Sequence, residues 1–250
     1  MNDPRKLRVL TDPPLAGPAN MARDEALMTR VGTALSPPTL RLYQWDSPTI
    51  SLGYFQHYAD YETLPAPAGG FPVVRRLTGG GAILHDQELT YSLSLPVGHP
   101  LLADGPSRLY ELAHDAVIES LTSLGLRTTR CGMSDDSGAA RGPFFCFQRR
   151  HCYDILLGAD KIAGSAQRRT RNAILQHGSI VLANRFAQQP TAVVERPFDE
   201  SIRGVRSAMV ETFARIPGVS CMPGGWSGEE LAAAEALHEK YASEAWTRRA

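Results

Sequence analysis

The sequence predicts a single α+β domain with a mixed, largely antiparallel sheet flanked by helices. Three observations carry that reading. Strand-like and helix-like segments are interspersed without strict βαβ alternation, which argues against a doubly wound parallel sheet. No Pro-, Gly- or Ser-rich linker divides the chain, so residues 1–250 are read as one domain with no accessory domain after it. Apolar residues make up 43% of the 250, enough to bury a sizeable core.

The first helix is expected to follow Asn20, which has N-cap chemistry, because Met21, Ala22, Ala26, Leu27 and Val31 recur at helical spacing. Pro37 and Pro38 bar its continuation. LRLYQW and TISLGYF read as strands, LPAPAGGFP as a loop, and VVRRL as a strand broken by TGGGAILHD. LTYSLSL alternates apolar and polar residues, the pattern of a half-buried strand. Leu109, Leu112, Ala113, Ala116, Val117, Leu121 and Leu124 trace one helical face, with Ser107 a candidate start and Gly125 a candidate end. SDDSGAARGPF is a polar loop expected to be mobile. CYDILL and IAGSAQRR read as strands joined by a tight turn at GADK, and ILQHGSIVLA as a further strand. Two helices close the chain, the last opened by Ser227 with Glu230 at the capping-box spacing.

The 26 basic and 26 acidic residues balance, so no global field draws the chain to nucleic acid or to an anionic membrane. No apolar run approaches the roughly 20 residues that span a bilayer, and the N-terminus lacks the pattern of a signal peptide. Cys131, Cys146, Cys152 and Cys221 are therefore expected to be thiols in a cytoplasmic protein.

Three segments carry chemistry. In RRLTGGGAILHD (75–86), three glycines follow a strand, where backbone must approach a ligand closely or adopt positive φ. Arg75 and Arg76 have the fork that pairs with phosphate or carboxylate; a tight turn with two solvated arginines fits the same letters. The segment is neither a phosphate-binding GxxxxGK[ST] loop nor a GxGxxG turn. In GADKIAGSAQRR (158–169), Lys161 precedes small residues that leave room for a ligand, and it either polarises an acyl carbonyl or sits on a surface hairpin. In FFCFQRRHCYD (144–154), Cys146 precedes Arg149, Arg150 and His151, a setting for a thiolate nucleophile or for an ordinary core cysteine. Cys131, Cys146, His151 and Cys152 have zinc-ligand chemistry, but their spacing matches no usual paired-ligand pattern and no metal is expected. His85 and His177 are polar positions inside apolar segments, open to structural or binding roles, and no GxSxG elbow is present.

Taken together, NMARDEALM (20–28), PTISLGYFQ (48–56), RRLTGGGAILHD, DILLGADKIAGSAQRR (154–169) and LQHGSIVL (175–182) resemble the ordered blocks of the lipoate–protein ligase and octanoyltransferase family. EELAAAEALHEKYASEAW resembles the last helix of its catalytic domain, so the likeness covers nearly the whole chain. The resemblance implies a fold shared with the catalytic domain of biotin protein ligases. It implies that Arg75, Arg76, Thr78, Gly79, Gly80, Gly81, His85, Gly164, Ser165, Gln176, His177 and Gly178 line or complete an acyl pocket, with Lys161 at the acyl carbonyl. Some members that lack the accessory domain carry a nucleophilic cysteine in a CF pair before the DI–GxKxxGSAQ block; Cys146-Phe147 stands there, with Gln148, Arg149, Arg150 and His151 where small residues and a proline are usual, and with Cys152 as a rival.

Two activities follow from the resemblance. In the first, Cys146 takes an octanoyl or lipoyl group from octanoyl acyl-carrier protein or an acylated lipoyl domain and passes it to a lysine of an apo lipoyl domain, of a glycine cleavage H protein or a 2-oxoacid dehydrogenase E2, without a cofactor. In the second, lipoate, ATP and Mg form lipoyl-AMP, the arginines and Lys161 hold the anionic groups, and Cys146 is structural.

Overall fold

The computed structural model describes residues 6–132 and 142–249. Most of the SDDSGAARGPF loop lies outside the described residues.

An eight-stranded sheet runs in the order β11-β1-β2-β6-β10-β9-β8-β7. Its strands are β1 (Lys6–Thr11), β2 (Thr39–Tyr43), β6 (Glu88–Pro96), β7 (Thr128–Arg130), β8 (Ile155–Leu157), β9 (Asp160–Arg169), β10 (Ala173–Val181) and β11 (Ser220–Pro223). β1 pairs in parallel with β2 and β11, and every other pairing in this sheet is antiparallel. A three-stranded sheet, β4-β3-β5, carries β3 (Thr49–Leu52), β4 (Val73–Arg75) and β5 (Ile83–His85). The mixed, largely antiparallel architecture is the one expected. Among the described residues, no helix is long and apolar enough to cross a membrane.

Helices cover both faces of the large sheet. Helices α3 (Pro106–Ser123) and α4 (Phe198–Arg215) share a core with Leu89, Tyr91, Leu93 and Leu95 of β6 through Leu109, Ala113, Val117, Val205, Met209 and Phe213. On the other face α1 (Gly17–Gly32) and α5 (Gly228–Ala242) bring Met21, Met28 and Tyr241 against Tyr43, Trp45 and Leu175. Short helices α2 (Tyr58–Glu62) and α6 (Glu244–Thr247) complete the chain, with Tyr61 of α2 packed on the small sheet. Burying such side chains stabilises the fold by about 1.5–3 kcal/mol each.

Three details depart from expectation. Helix α1 begins at Gly17 with Pro18 in its first turn, where a missing N–H is harmless. Asn20 therefore lies inside the helix rather than capping it. Its amide donates to the carbonyls of Leu15 and Gln44 and its Oδ1 accepts from Arg41, which ties the helix to β2. Helix α3 is entered through Gly105 and Pro106, not capped by Ser107, because Gly105 adopts φ +86. Strand β6 is buried on both faces, not one. Its polar positions Glu88, Thr90, Ser92 and Ser94 face inward beneath α1. The expected capping box of Ser227 and Glu230 is present.

Candidate active site

The site is built where the small sheet, β9, β10 and α1 converge. The glycine run 79–81 leaves β4 and folds back on the turn after β3. A Cβ on Gly53 would lie 1.9 Å from the Gly80 carbonyl oxygen, and Gly80 itself has φ +90, so neither position accommodates a side chain without distortion. Arg76 holds this run from within. Its Nε donates to Thr78 Oγ1, its Nη1 to the carbonyl and hydroxyl of Ser51, and its Nη2 to the carbonyls of Gly79 and Gly81 at 2.7 Å each. These bonds use all the N–H groups a guanidinium has. Burial pulls its pKa down to about 10, opposed by Cys146 and reinforced by the cations Arg149 and Arg75.

Cys146 opens a single 3-10 turn, Cys146–Gln148, docked on the same glycine segment. Its N–H donates to the Ala82 carbonyl at 2.7 Å, while Ala82 N–H donates to the Phe144 carbonyl. Lys161 reaches this turn from the start of β9, after the tight turn from β8. Its Nζ is 2.8 Å from Asp154 Oδ2, 3.3 Å from the Cys146 carbonyl and 3.6 Å from Cys146 Sγ. Lys161 and Asp154 are both buried, so the ammonium and its counterion are held in place with little solvent screening. Asp154 Oδ2 also accepts from His151 N–H. The result is a thiol beside a fixed positive charge.

Two histidine–carboxylate pairs flank Arg76. His177 Nδ1 lies 3.2 Å from Asp24 Oδ2 and its Nε2 lies 2.6 Å from Thr78 Oγ1. The Asp24 carboxylate can only accept, so the His177 nitrogen that faces it, Nδ1, donates. Burial raises the Asp24 pKa, but His177, Arg41 and Ser92 outweigh it and hold the carboxyl below its ordinary value. His85 repeats the scheme: Nε2 meets Ser51 Oγ at 2.7 Å and Nδ1 meets Glu88 Oε1 at 2.8 Å, with Trp45 stacked on the ring. Burial dominates and lowers the His85 pKa. Glu88 also accepts from Thr90 and Ser179, and Ser92 donates to Asp24, so three of the inward polar positions of β6 serve this network.

Between these groups lies a pocket with about 520 Å³ of empty space, open solvent at its mouth included. Met21, Tyr43, Trp45, Ile83 and Phe147 give it apolar walls, and Cys146, Arg76 and the glycine run border it. Its mostly apolar lining suits an apolar ligand, with Cys146 at its edge.

Residues 17–214 match the family model of the lipoyl protein ligase A/B catalytic domain. The chain is 36% identical to octanoyltransferase LipM of Kyrpidia tusciae over 92% of its own length and 94% of the relative's. It is 35% identical to octanoyltransferase LipM of Moorella thermoacetica over 92% and 93%. The chain belongs to the lipoyl protein ligase A/B catalytic-domain family. Its fold is also that of a crystal structure of lipoate-protein ligase A bound with ATP, with a TM-score of 0.76, 25% identity and coverage of 97% and 98%.

In this lipoyl protein ligase A/B domain the sequence-predicted residues separate into two groups. Arg76, Gly79, Gly80, His85, Gly164, Ser165, His177 and Gly178 border the pocket together with Cys146. Thr78, Gly81 and Gln176 stand behind that wall, Thr78 as the link from Arg76 to His177, and Gln176 bonded to Gln167 and Ser165. Arg75 does not face the pocket, contrary to expectation. Its guanidinium donates to the carbonyls of Gly53, Tyr54, Gln56 and Thr247, pinning the C-terminal segment to the turn after β3. Of the cysteines, only Cys146 borders this pocket. Cys152 approaches His151 at 3.8 Å, and burial raises the Cys221 thiol to about 11. No cluster suited to a metal ion occurs among the described residues.

Sequence reasoning missed Asp24, Glu88 and His114. His114 of α3 is buried, bonds the Tyr153 carbonyl through Nδ1, and meets Ser165 Oγ through Nε2 at 2.6 Å. Burial pulls its pKa down to about 4. A polar residue on an otherwise apolar helical face was the available signal for His114, as the inward polar alternation of β6 was for Glu88.

Proposed function

We propose that this protein transfers an octanoyl group from a carrier-protein thioester, through Cys146, to a lysine of an apo lipoyl domain. The observation that carries the reading is the Lys161 ammonium 3.6 Å from Cys146 Sγ at an apolar pocket. The names of the octanoyltransferase relatives support the same reaction.

In the first half-reaction, the Cys146 sulfur attacks the thioester carbonyl, a C–S bond forms to the enzyme, and the donor thiol leaves with the proton. In the second, the acceptor lysine, as neutral amine, attacks the acyl-enzyme. Its C–N bond forms, the C–S bond breaks, and the amine proton returns to the sulfur. Negative charge that builds on sulfur and on the acyl oxygen faces Lys161. Thioester energy drives the amide bond, so neither ATP nor Mg takes part. The donor is octanoyl acyl-carrier protein and the acceptor is the lipoyl domain of a glycine cleavage H protein or a 2-oxoacid dehydrogenase E2. Arg75 and Arg76 spend their donors on main-chain and hydroxyl oxygens, which weighs against their holding an adenylate phosphate.

Intact-mass measurement of the protein mixed with octanoyl acyl-carrier protein and no ATP tests this. The expected result is a single octanoyl adduct, mapped to Cys146 and discharged by an apo lipoyl domain. Acceptor modification only with lipoate and Mg-ATP, and no adduct, would overturn it.

A further inference from the structure

Three arginines from three separate elements lie against Tyr54 or beside the glycine run. Arg168 lies on β9, two residues beyond Ala166, which borders the pocket. Its guanidinium sits 5.0 Å from the centre of the Tyr54 ring. Arg249, from the C-terminal segment, lies 4.3 Å from the same ring and donates to Tyr54 Oη. Tyr54 N–H donates to the Thr78 carbonyl, which fixes this cluster to the glycine run. On the other side Arg149 leaves the Cys146 turn and donates to the Pro143 carbonyl, near Gly81. Among the described residues none of the three forms an ion pair with a carboxylate, whereas Arg248, the chain neighbour of Arg249, pairs with Glu62 and Glu244.

The chain has no net charge, so the positive charge contributed by these arginines is local. Arg149 also lines an open groove with Phe55, Phe144, His57 and one carboxylate, Asp60, and Gly80 belongs both to this groove and to the acyl pocket. Phe55 is 75% exposed there. A thioester delivered on a long, largely neutral arm needs such a trough leading to the nucleophile and a cationic rim for the anionic body behind it. A lysine on a short turn needs only an open mouth.

We infer that Arg168, Arg249 and Arg149 form a docking rim for the acyl donor: an acidic protein that presents its thioester on a phosphodiester-linked arm. The arm runs through the groove past Phe55 and Gly80, and the acidic surface meets the arginines. Complementary charge of this kind acts mainly on encounter and is salt-sensitive. The inference rests on the transferase reading for the identity of the donor.

The test compares wild type, an Arg168→Glu/Arg249→Glu variant and an Arg203→Glu control on α4. Binding of holo acyl-carrier protein is measured directly, and Cys146 acylation is followed from octanoyl acyl-carrier protein and from neutral octanoyl-N-acetylcysteamine. The double variant is expected to lose about tenfold or more in binding and in kcat/KM with the protein donor. It should keep its rate with the neutral thioester, and the control should match wild type throughout. Equal losses with both donors, no loss with the protein donor, or a wild type that does not bind the carrier would each overturn the rim. Slowed discharge to a lipoyl domain with unchanged loading would assign the rim to the acceptor instead. Acylation by neither donor, with charge-dependent carrier binding intact, would sink the transferase reading and leave the docking rim standing.

Discussion

Lys161 Nζ stands 3.6 Å from Cys146 Sγ while it is paired at 2.8 Å with Asp154. The two sites are brought together by a strand that begins at Asp160 and a one-turn helix docked on Ala82. Cys146→Ala should therefore abolish the acyl-enzyme and lower transfer by on the order of 10³ or more, the scale for loss of a group that acts within a concerted unit. Cys152→Ala, which removes a thiol outside the pocket, should leave the rate within about twofold of wild type. Single-turnover assays with octanoyl acyl-carrier protein distinguish them, and equal losses would remove the thioacyl mechanism.

Lys161 is also half of a buried ion pair. Lys161→Met strands the Asp154 carboxylate away from water, and breaking such a pair costs about 3–5 kcal/mol. The urea midpoint should fall accordingly. Replacing both partners, Lys161→Met with Asp154→Leu, should restore much of the stability and none of the acylation. Recovery of activity in the double variant would contradict a chemical role for the ammonium.

His114 gives the fold an acid-sensitive limb. Burial holds its pKa near about 4, whereas the unfolded imidazole titrates near 6.5. Between those values the unfolded chain carries more protons than the native one, so lowering the pH favours unfolding. The effect is absent above about pH 6.5 and grows as the pH falls to about 4, to about 3 kcal/mol in full. His114→Gln, which retains an acceptor for Ser165 and a donor for Tyr153, should flatten stability across that window. Urea midpoints at pH 7, 5.5 and 4.5 would show it, and parallel slopes for both proteins would exclude His114 as the source.

What the sequence made legible was local. Helical spacing located α1 and α3, the capping box located α5, and the glycine run marked the place where Gly53 and Gly80 nearly touch. Longer-range partnerships were not legible, because no spacing along the chain encodes them. Asp24 meets His177 across 153 residues and Arg75 meets Thr247 across 172. Paired arginines beside glycines suggest an anion site, yet which carbonyls lie within reach decides whether their donors remain open. The alternation of β6 has the pattern of a half-buried strand, because the sequence does not say that α1 will cover the polar face. Once covered, Glu88, Thr90 and Ser92 must find partners, and they find them in the site.

Gly164 tests whether placement of Lys161 matters apart from its presence. A Cβ there would lie 2.7 Å from Lys161 Cε and 3.0 Å from both Lys161 Nζ and Asp154 Oδ1. Real Cβ atoms do not approach as closely as 2.7 Å, so in Gly164→Ala the end of the Lys161 side chain must shift while both charges are kept. Misplacement of a catalytic group by about 1 Å can cost roughly 10²-fold. Octanoylation of Cys146 should fall by about that factor, while iodoacetamide, which needs no acyl carbonyl positioned, should still alkylate the thiol. Gly225→Ala, where nothing lies within 4 Å of the added carbon, is the control. If Gly164→Ala acylates as fast as the control, the ammonium is a bystander and the rate must come from the sulfur and the pocket alone.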